Sequence, residues 1–297
     1  MMNLFSRRIP IRLTGIAAIV AGLFFSVCGC AGLVFKQADV AFENPMVKLG
    51  IQKAEPSAEE LAGVTLRELP DFKTPRKYRE EDVFYAQIQN GKGAQLTLNM
   101  NRTVSFKPGS RMDSFIQLSQ TVIEGEGGEF LEENELTTRG EIIKFFRGHH
   151  HSKIDHFQIT NWKRTPVYPD AKIKMGDAWS YEEEMGAKVK IDSFWVKVLD
   201  SEPEHRKAQS RLEGFVLVGN RRCAVIKTKI EQTKNDHFKV LFKNISMKTQ
   251  ARIQETTYLD YASGAVIATV TRIDSFTQGL DNPITDSSEI QSIVYQV

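Results

Sequence analysis

Cysteine is scarce in this chain. Its 297 residues hold three, Cys28, Cys30 and Cys223, too few for a disulfide framework. Net charge is scarce as well. The formal value is +2, and residues 1 to 29 supply Arg7, Arg8 and Arg12 with no acidic partner. The remainder carries 36 basic against 37 acidic side chains. Such a balance generates no field that would gather nucleic acid, so a nucleic-acid partner is excluded. Motifs of common hydrolases and nucleotide enzymes are missing too: no G-x-S-x-G elbow, no H-E-x-x-H and no P-loop. Ser, His and Asp are all present, but composition alone does not bring a triad together. The remaining composition, 41% hydrophobic and 26% charged, is that of a globular chain long enough for one large or two medium domains.

Against these absences stands an unusual N-terminus. "MMNLFSRRIPIR" is short and basic, "LTGIAAIVAGLFFSV" is uncharged, and "CGCAG" is made of small residues. That is the layout of a secretory signal. A retained membrane helix is the competing reading. The uncharged stretch from Leu13 to Phe35 is 23 residues long, which at about 1.5 Å per residue exceeds a hydrocarbon core of about 30 Å. Both readings leave the three arginines on the cytoplasmic side and put everything after Lys36 across the membrane.

The sequence Val27-Cys28-Gly29-Cys30 resembles the lipobox of bacterial lipoproteins. The resemblance implies cleavage after Gly29 and acylation, palmitate included, of Cys30. Cys28 fits less well as the modified residue, because bulky Val27 would then precede the cut. Ala31, in place of Asp, resembles the sorting signal for the outer membrane in hosts that have one. The implied localisation is membrane-anchored and extracytoplasmic, facing the periplasm in such a host, with membrane lipid as the partner through Cys30. Acylation of Cys30 leaves Cys223 without an intramolecular partner. Within "RRCAVIKTKIE" it reads as a small packed hydrophobe.

Residues 1–29 are thus expected to form the signal peptide, and 30–80 a lipidated tether and entry segment. The latter includes a helix over "SAEELAGVTLRE", with Ser57 and Glu60 placed as a capping box. After residue 80 the period becomes two. In "GAQLTLNMN" Ala94, Leu96, Leu98 and Met100 alternate with polar residues, and "CAVIKTKIE" and "HFKVLFKN" alternate likewise. Strands with one wet and one dry face belong to antiparallel sheets. Gly219-Asn220, "DYASG" ending at Gly264, Lys234 to Asp236 and Arg147 to Lys153 all read as hairpin turns. The expectation is an all-β fold with minor α: ten to twelve strands in an antiparallel meander, curled into a half-barrel or sandwich over 81–297. A seam near Pro169 and Gly176-Asp177 divides it into halves of 81–165 and 170–297. "MDSF" at 112 and "IDSF" at 191 and 273 have unrelated flanks and are no repeat.

Between about 165 and 275, "PDAKIKMGDAW", the glycine turn before "CAVIKTKI" and "YLDYASGAVIATV" resemble uncharacterised bacterial exported proteins, β-rich and similar to periplasmic lipoprotein carriers. The match implies fold more than function. Trp179 is expected in the core. The metal candidates are His149, His151 and His156 in "HHHSKIDH", with Asp155 beside them; no spacing ties a further ligand to them, and no cofactor is expected. The expected role is that of an envelope module, structural or protein-binding and without catalysis. The alternative is a carrier or sensor that holds an acyl chain or lipid on a concave sheet face, lined from Phe84, Phe106, Phe145, Phe157, Phe194, Phe215 and Phe238.

Overall fold

A computed structural model describes residues 45–87, 93–124, 129–151, 166–185, 196–201, 204–240, 243–279 and 285–297. The signal peptide, Val27, Cys28, Gly29 and Cys30 lie outside the described residues, as do His156, Phe157 and Phe194.

The entry segment forms α1 (Pro45–Lys48), β1 (Ile51–Lys53) and α2 (Ala58–Ala62). The first meander consists of β2 (Arg76–Gln87), β3 (Gly93–Pro108), β4 (Ser114–Ile123), β5 (Glu129–Thr137) and β6 (Ile142–His151). Next come β7 (Ala178–Met185) and β8 (Val196–Ser201). The second meander follows as β9 (Glu204–Val218), β10 (Arg221–Val240), β11 (Lys243–Asp260), β12 (Ala265–Gly279) and β13 (Thr285–Gln296). All thirteen strands join one antiparallel sheet in the order β1-β9-β10-β11-β12-β13-β2-β3-β4-β5-β6, with β7 on β9 and β8 on β10. The all-β expectation holds, and the architecture is one open sheet rather than a sandwich of two. The final strand lies beside the first strand of the first meander, so β13 and β2 join the two halves along Ser287↔Gln87 to Gln296↔Tyr78.

Two expected hairpins are present. Gly219 and Asn220 connect β9 to β10, with Gly219 at φ 61°. The Tyr261–Gly264 turn connects β11 to β12, and Asp260 shapes it by accepting the N–H groups of Ala262 and Ser263. Two others are corrected. Lys234–Asp236 is no turn, because β10 runs unbroken past it and Lys234 pairs with Thr249. Gly148 to His151 continue β6, with His149 opposite Leu131 and His151 opposite Glu129. In both places polar, turn-prone residues are held extended by pairing with a neighbouring strand, β11 for Lys234 and β5 for His149 to His151. The α2 helix is also shorter than expected. Its capping box is intact, Ser57 accepting from Glu60 and Glu60 from Ser57, but Gly63 at φ 111° ends it. Val64 then turns extended and bridges to Ile173.

That extended continuation decides the shape of the sheet. The N–H of Glu68 donates to Thr138, in the β5–β6 turn, at 2.7 Å, and the N–H of the next residue, Leu69, donates to Gly264, in the β11–β12 turn, at 3.0 Å. Five inter-strand steps separate β12 from β5, about 24 Å on a flat sheet. Two adjacent residues bring the acceptors within about 10 Å. The sheet is therefore curled, as the half-barrel expectation required. A second strap reinforces it: Tyr168 exchanges hydrogen bonds with Arg139 of the β5–β6 turn, and Gly176 donates to Leu212 of β9.

The straps fill the mouth of the curl. Leu66 and Tyr168 are fully buried against Leu212, Ile226 and Leu259, with Phe215 beside them. Phe106 and Phe115 continue this core in edge-to-face contact at 5.5 Å, together with Tyr78, Leu136 and Val294. Trp179 is not in the core proper; it is half-buried at the margin, its Nε1 donating to the Val167 carbonyl at 2.6 Å. Phe115 of "MDSF" is fully buried and Phe276 of "IDSF" exposed, as unrelated segments would be. On the convex face, Leu49 and Ile51 cover Cys223, Tyr258 and Ala268. Cys223 is a packed free thiol, as expected, its pKa pushed up to about 12 by burial.

Glu60 secures α2 to the mouth. Its two oxygens accept from Arg222 at 2.8 and 2.6 Å, from Tyr261 at 2.7 Å and from the N–H of Ser57 at 2.6 Å. The side-chain hydrogen bond from Arg222 is the main reason the carboxyl is lowered from 4.5 to about 2. A depressed carboxylate contributes stability in full above its unfolded pKa and loses it as pH falls through the folded one. E60Q is expected to lower stability at pH 7 by about 3 kcal/mol. Between pH 4.5 and 2, the limits set by that shift, stability of the parent chain should fall more steeply than that of the variant in urea titrations.

Gly264 and Gly219 share the left-handed conformation, at φ 63° and 61°, but not their surroundings. A Cβ on Gly264 would overlap the backbone and side chain of Leu69, whereas one on Gly219 meets nothing. G219A should cost about 1 kcal/mol, and G264A at least 2 kcal/mol more because the first strap must shift. Urea midpoints of the two variants measure the difference.

Candidate functional site: the concave face

Side chains on alternate positions of β10 face the straps and, farther along, the hollow of the curl. Ile226 lies in the mouth core, so Thr228 and Ile230, two and four residues on, look the same way. Cross-strand register extends these positions into rows. One row is apolar: Ala208, Ile230, Ile253, Ile273 and Ile290 are successive partners on β9 to β13, and Ile253, Ile273 and Ile290 are buried. Its backbone register continues to Phe84 on β2. The adjacent row, nearer the mouth, is polar: Ser210, Thr228, Glu255, Thr271, Ser292 and Asp82. The concave face is therefore banded, with an apolar mouth core, a polar belt and then a row of isoleucines.

The belt is a network rather than scattered polarity. Ser210 and Thr228 hydroxyls meet at 2.9 Å, and Thr257 donates to Glu255 at 3.1 Å. Glu80, fully buried, accepts from Arg102 at 3.0 Å, and Arg102 Nε donates to Thr121 at 3.2 Å. Closer to the mouth, Arg76 lies 3.7 Å from Glu68, donates to the Leu69 carbonyl and stacks on the Phe106 ring at 4.9 Å. Tyr78 donates to the Val266 carbonyl at 3.1 Å, and burial pushes its phenol up to about 12. Tyr168 is raised further by complete burial and by Glu68 and Glu255, and Tyr181 by burial, Glu183 and Glu255. These phenols stay protonated at any physiological pH.

Several polar atoms of this face have no hydrogen-bond partner among the described residues: Ser119 Oγ, Asn134 Oδ1, Tyr168 OH and Ser292 Oγ, each on a buried side chain. Buried polar atoms of this kind are ordinarily satisfied by water or by a ligand. Chemically, the face offers hydroxyls, an amide and ion-paired charges beside an apolar strip. Such a face presents both polar and apolar surface side by side.

Reading the sequence singled out none of these belt residues. The signal lay in β2, where Glu80 and Asp82 share the parity of Tyr78 and Phe84, so charge alternates onto the dry face. The sequence-derived candidates fall elsewhere. His149 and His151 occupy alternate positions on β6, the last strand in the sheet order. Among the described residues no cluster of three or more His, Cys, Asp or Glu is placed to hold a metal ion. Likewise, among those residues no helix is long and apolar enough to cross a membrane.

No protein-family model matches this chain, and no curated protein matches it either.

The belt yields its own prediction. In R102M the Glu80 carboxylate loses its guanidinium partner in a fully buried position, a change worth about 3 kcal/mol of stability. The double replacement E80Q/R102M removes the charge as well and should recover at least half of that loss. Equal stability of the single and double variants in urea titrations would show that the pair is not coupled.

Proposed function

We propose that this chain is a lipid-anchored protein on the extracytoplasmic side of a bacterial envelope, where its curled β-sheet serves as a non-catalytic interaction module. The observation that carries the proposal is the order of chemistry at the N-terminus: Arg7, Arg8 and Arg12, an uncharged run, then Val27-Cys28-Gly29-Cys30. Positive charge before an apolar segment sets orientation, and a thiol after a small residue is where a lipid would attach. The absence of a net field agrees with a protein partner or a membrane rather than nucleic acid. Support for a non-catalytic role comes from the charged groups of the hollow, which are engaged with one another: Glu80 with Arg102, and Arg76 with Glu68.

A second reading, a carrier or sensor for a lipid or acyl chain, is favoured by one feature. The isoleucine row runs unbroken across four neighbouring strands of the concave face beside a belt of hydroxyls. An amphiphile would lay its chain along the former and its polar part against the latter.

Intact-mass analysis of the chain extracted from its native membranes tests both. A mass that begins at Cys30 and carries acyl chains upholds the anchor; a chain that still begins at Met1 with an unmodified thiol overturns it. A bound amphiphile released on denaturation would select the carrier, whereas a protein partner retained by crosslinking, with no small molecule, would select the module.

A further inference from the structure

Connections in an antiparallel sheet alternate between its two ends. The β3–β4, β5–β6, β9–β10 and β11–β12 turns, both straps and the C-terminus therefore gather at one end, the mouth of the curl. Large apolar side chains project into solvent there. Met112, at the tip of the β3–β4 turn, is wholly exposed, Phe72 is 53% exposed, and Leu69, Met175 and Val297 are exposed as well. The tips are fixed in place. Thr138 donates to Asp113 beside Met112, and the N–H groups of Lys73 and Thr74 donate to Asp71 beside Phe72. A hydrogen-bonded loop that holds a greasy side chain outward is built to present it.

The chain also enters at this end. Ile51 pairs with Val218, the last residue of β9 before its turn, and Lys48 reaches Tyr295 and Glu81 on the strands beside the C-terminus. Residues 31 to 44, fourteen in number, separate Cys30 from Pro45. Fully extended they span about 50 Å, and as a relaxed coil about 21 Å. The 20-residue strand β10 is about 66 Å long. An anchor on Cys30 therefore draws the mouth, not the far end, toward the bilayer.

We infer that the mouth rim, with Phe72 and Met112 as its leading side chains and Leu69 and Met175 behind them, seats in the surface of the bilayer to which the chain is tethered. The inference rests on the proposed lipid anchor for its direction. Each tip carries a base within three residues of an acid, Lys73 near Asp71, Arg111 near Asp113, and Lys174 near Asp177, so the opposite charges at each tip offset one another. Contact comes from apolar side chains flanked by polar groups that stay in the headgroup layer. It should neither need anionic lipid nor weaken with salt.

The test uses the full chain purified from membranes, with M112C or F72C as labelling site and K229C, exposed along β10, as control. Acylation occupies Cys30 and burial shields Cys223, so an environment-sensitive thiol dye reports the introduced position. The chain is placed in neutral phosphatidylcholine vesicles carrying a quencher on the upper acyl chain. Dye at 112 and 72 is expected to lose more than half of its emission, and dye at 229 less than a tenth, at low and at high salt alike. A lipidated, vesicle-bound chain whose dyes at 112 and 72 are quenched no more than at 229 overturns the inference. Should the mass show Cys30 unmodified, the anchor fails separately. Vesicles are then added to the labelled chain carrying C28S and C30S, so that dye again reports only the introduced position, and quenching at 112 and 72 upholds the rim while its absence overturns it.

Discussion

Everything in this molecule depends on the backbone hydrogen bonds of residues 64 to 69. Glu68 and Leu69, neighbours in sequence, reach Thr138 and Gly264, five strands apart in the sheet. That crossing, with the second strap through Tyr168 and Gly176, ties the two sides of the curl together. With it, alternate positions of β10 acquire a dry neighbourhood, Tyr168 has a core to sit in, and the buried pair of Glu80 and Arg102 has a hollow to line. The segment works because it is not helical: Gly63 stops α2, and the freed backbone groups bond to turns on both sides of the curl rather than to each other.

The conflict inside the hollow follows from the same closure. A curled sheet of this size buries more of its inner face than apolar residues alone occupy here, and the surplus is hydroxyl, amide and charge. Burying a carboxylate such as Glu80 is unfavourable unless it is paired and hydrogen-bonded. Arg102 supplies both, and Thr121 satisfies a further donor of the guanidinium. The oxygens of Ser119, Asn134, Tyr168 and Ser292 have no hydrogen-bond partner among the described residues.

Much of the fold was legible in the residues. Period two in "CAVIKTKIE" gave a strand with Ala224 and Ile226 inward and Lys227 and Lys229 outward, and Gly219-Asn220 and "DYASG" placed two turns correctly. These signals are local, one residue deciding its own environment. The failures were of another kind. Lys234-Asn235-Asp236 has the composition of a turn but sits in mid-strand, because paired neighbours on both sides impose extended geometry. "SAEELAGVTLRE" held a genuine capping box yet kept only five helical residues, since Val64 gains a bridge to Ile173 that no local propensity encodes. The concave belt was illegible for the same reason. Thr228, Glu255, Ser292 and Asp82 lie far apart in sequence and meet only through register, and register depends on strand order.

Strand order carries a further consequence. The central pairing of the whole sheet, β13 on β2, joins residues 287–296 to residues 78–87, a separation of nearly the full domain. Contacts so distant along the chain raise contact order and slow folding, because the cost of closing a large loop precedes any return. Each half is able to zip its own hairpins, and β1 and the straps already link the halves, but the β13–β2 seam forms only once β13 has been made. The central seam of the sheet therefore forms between segments that are made far apart in time, after the local hairpins on either side of it are available.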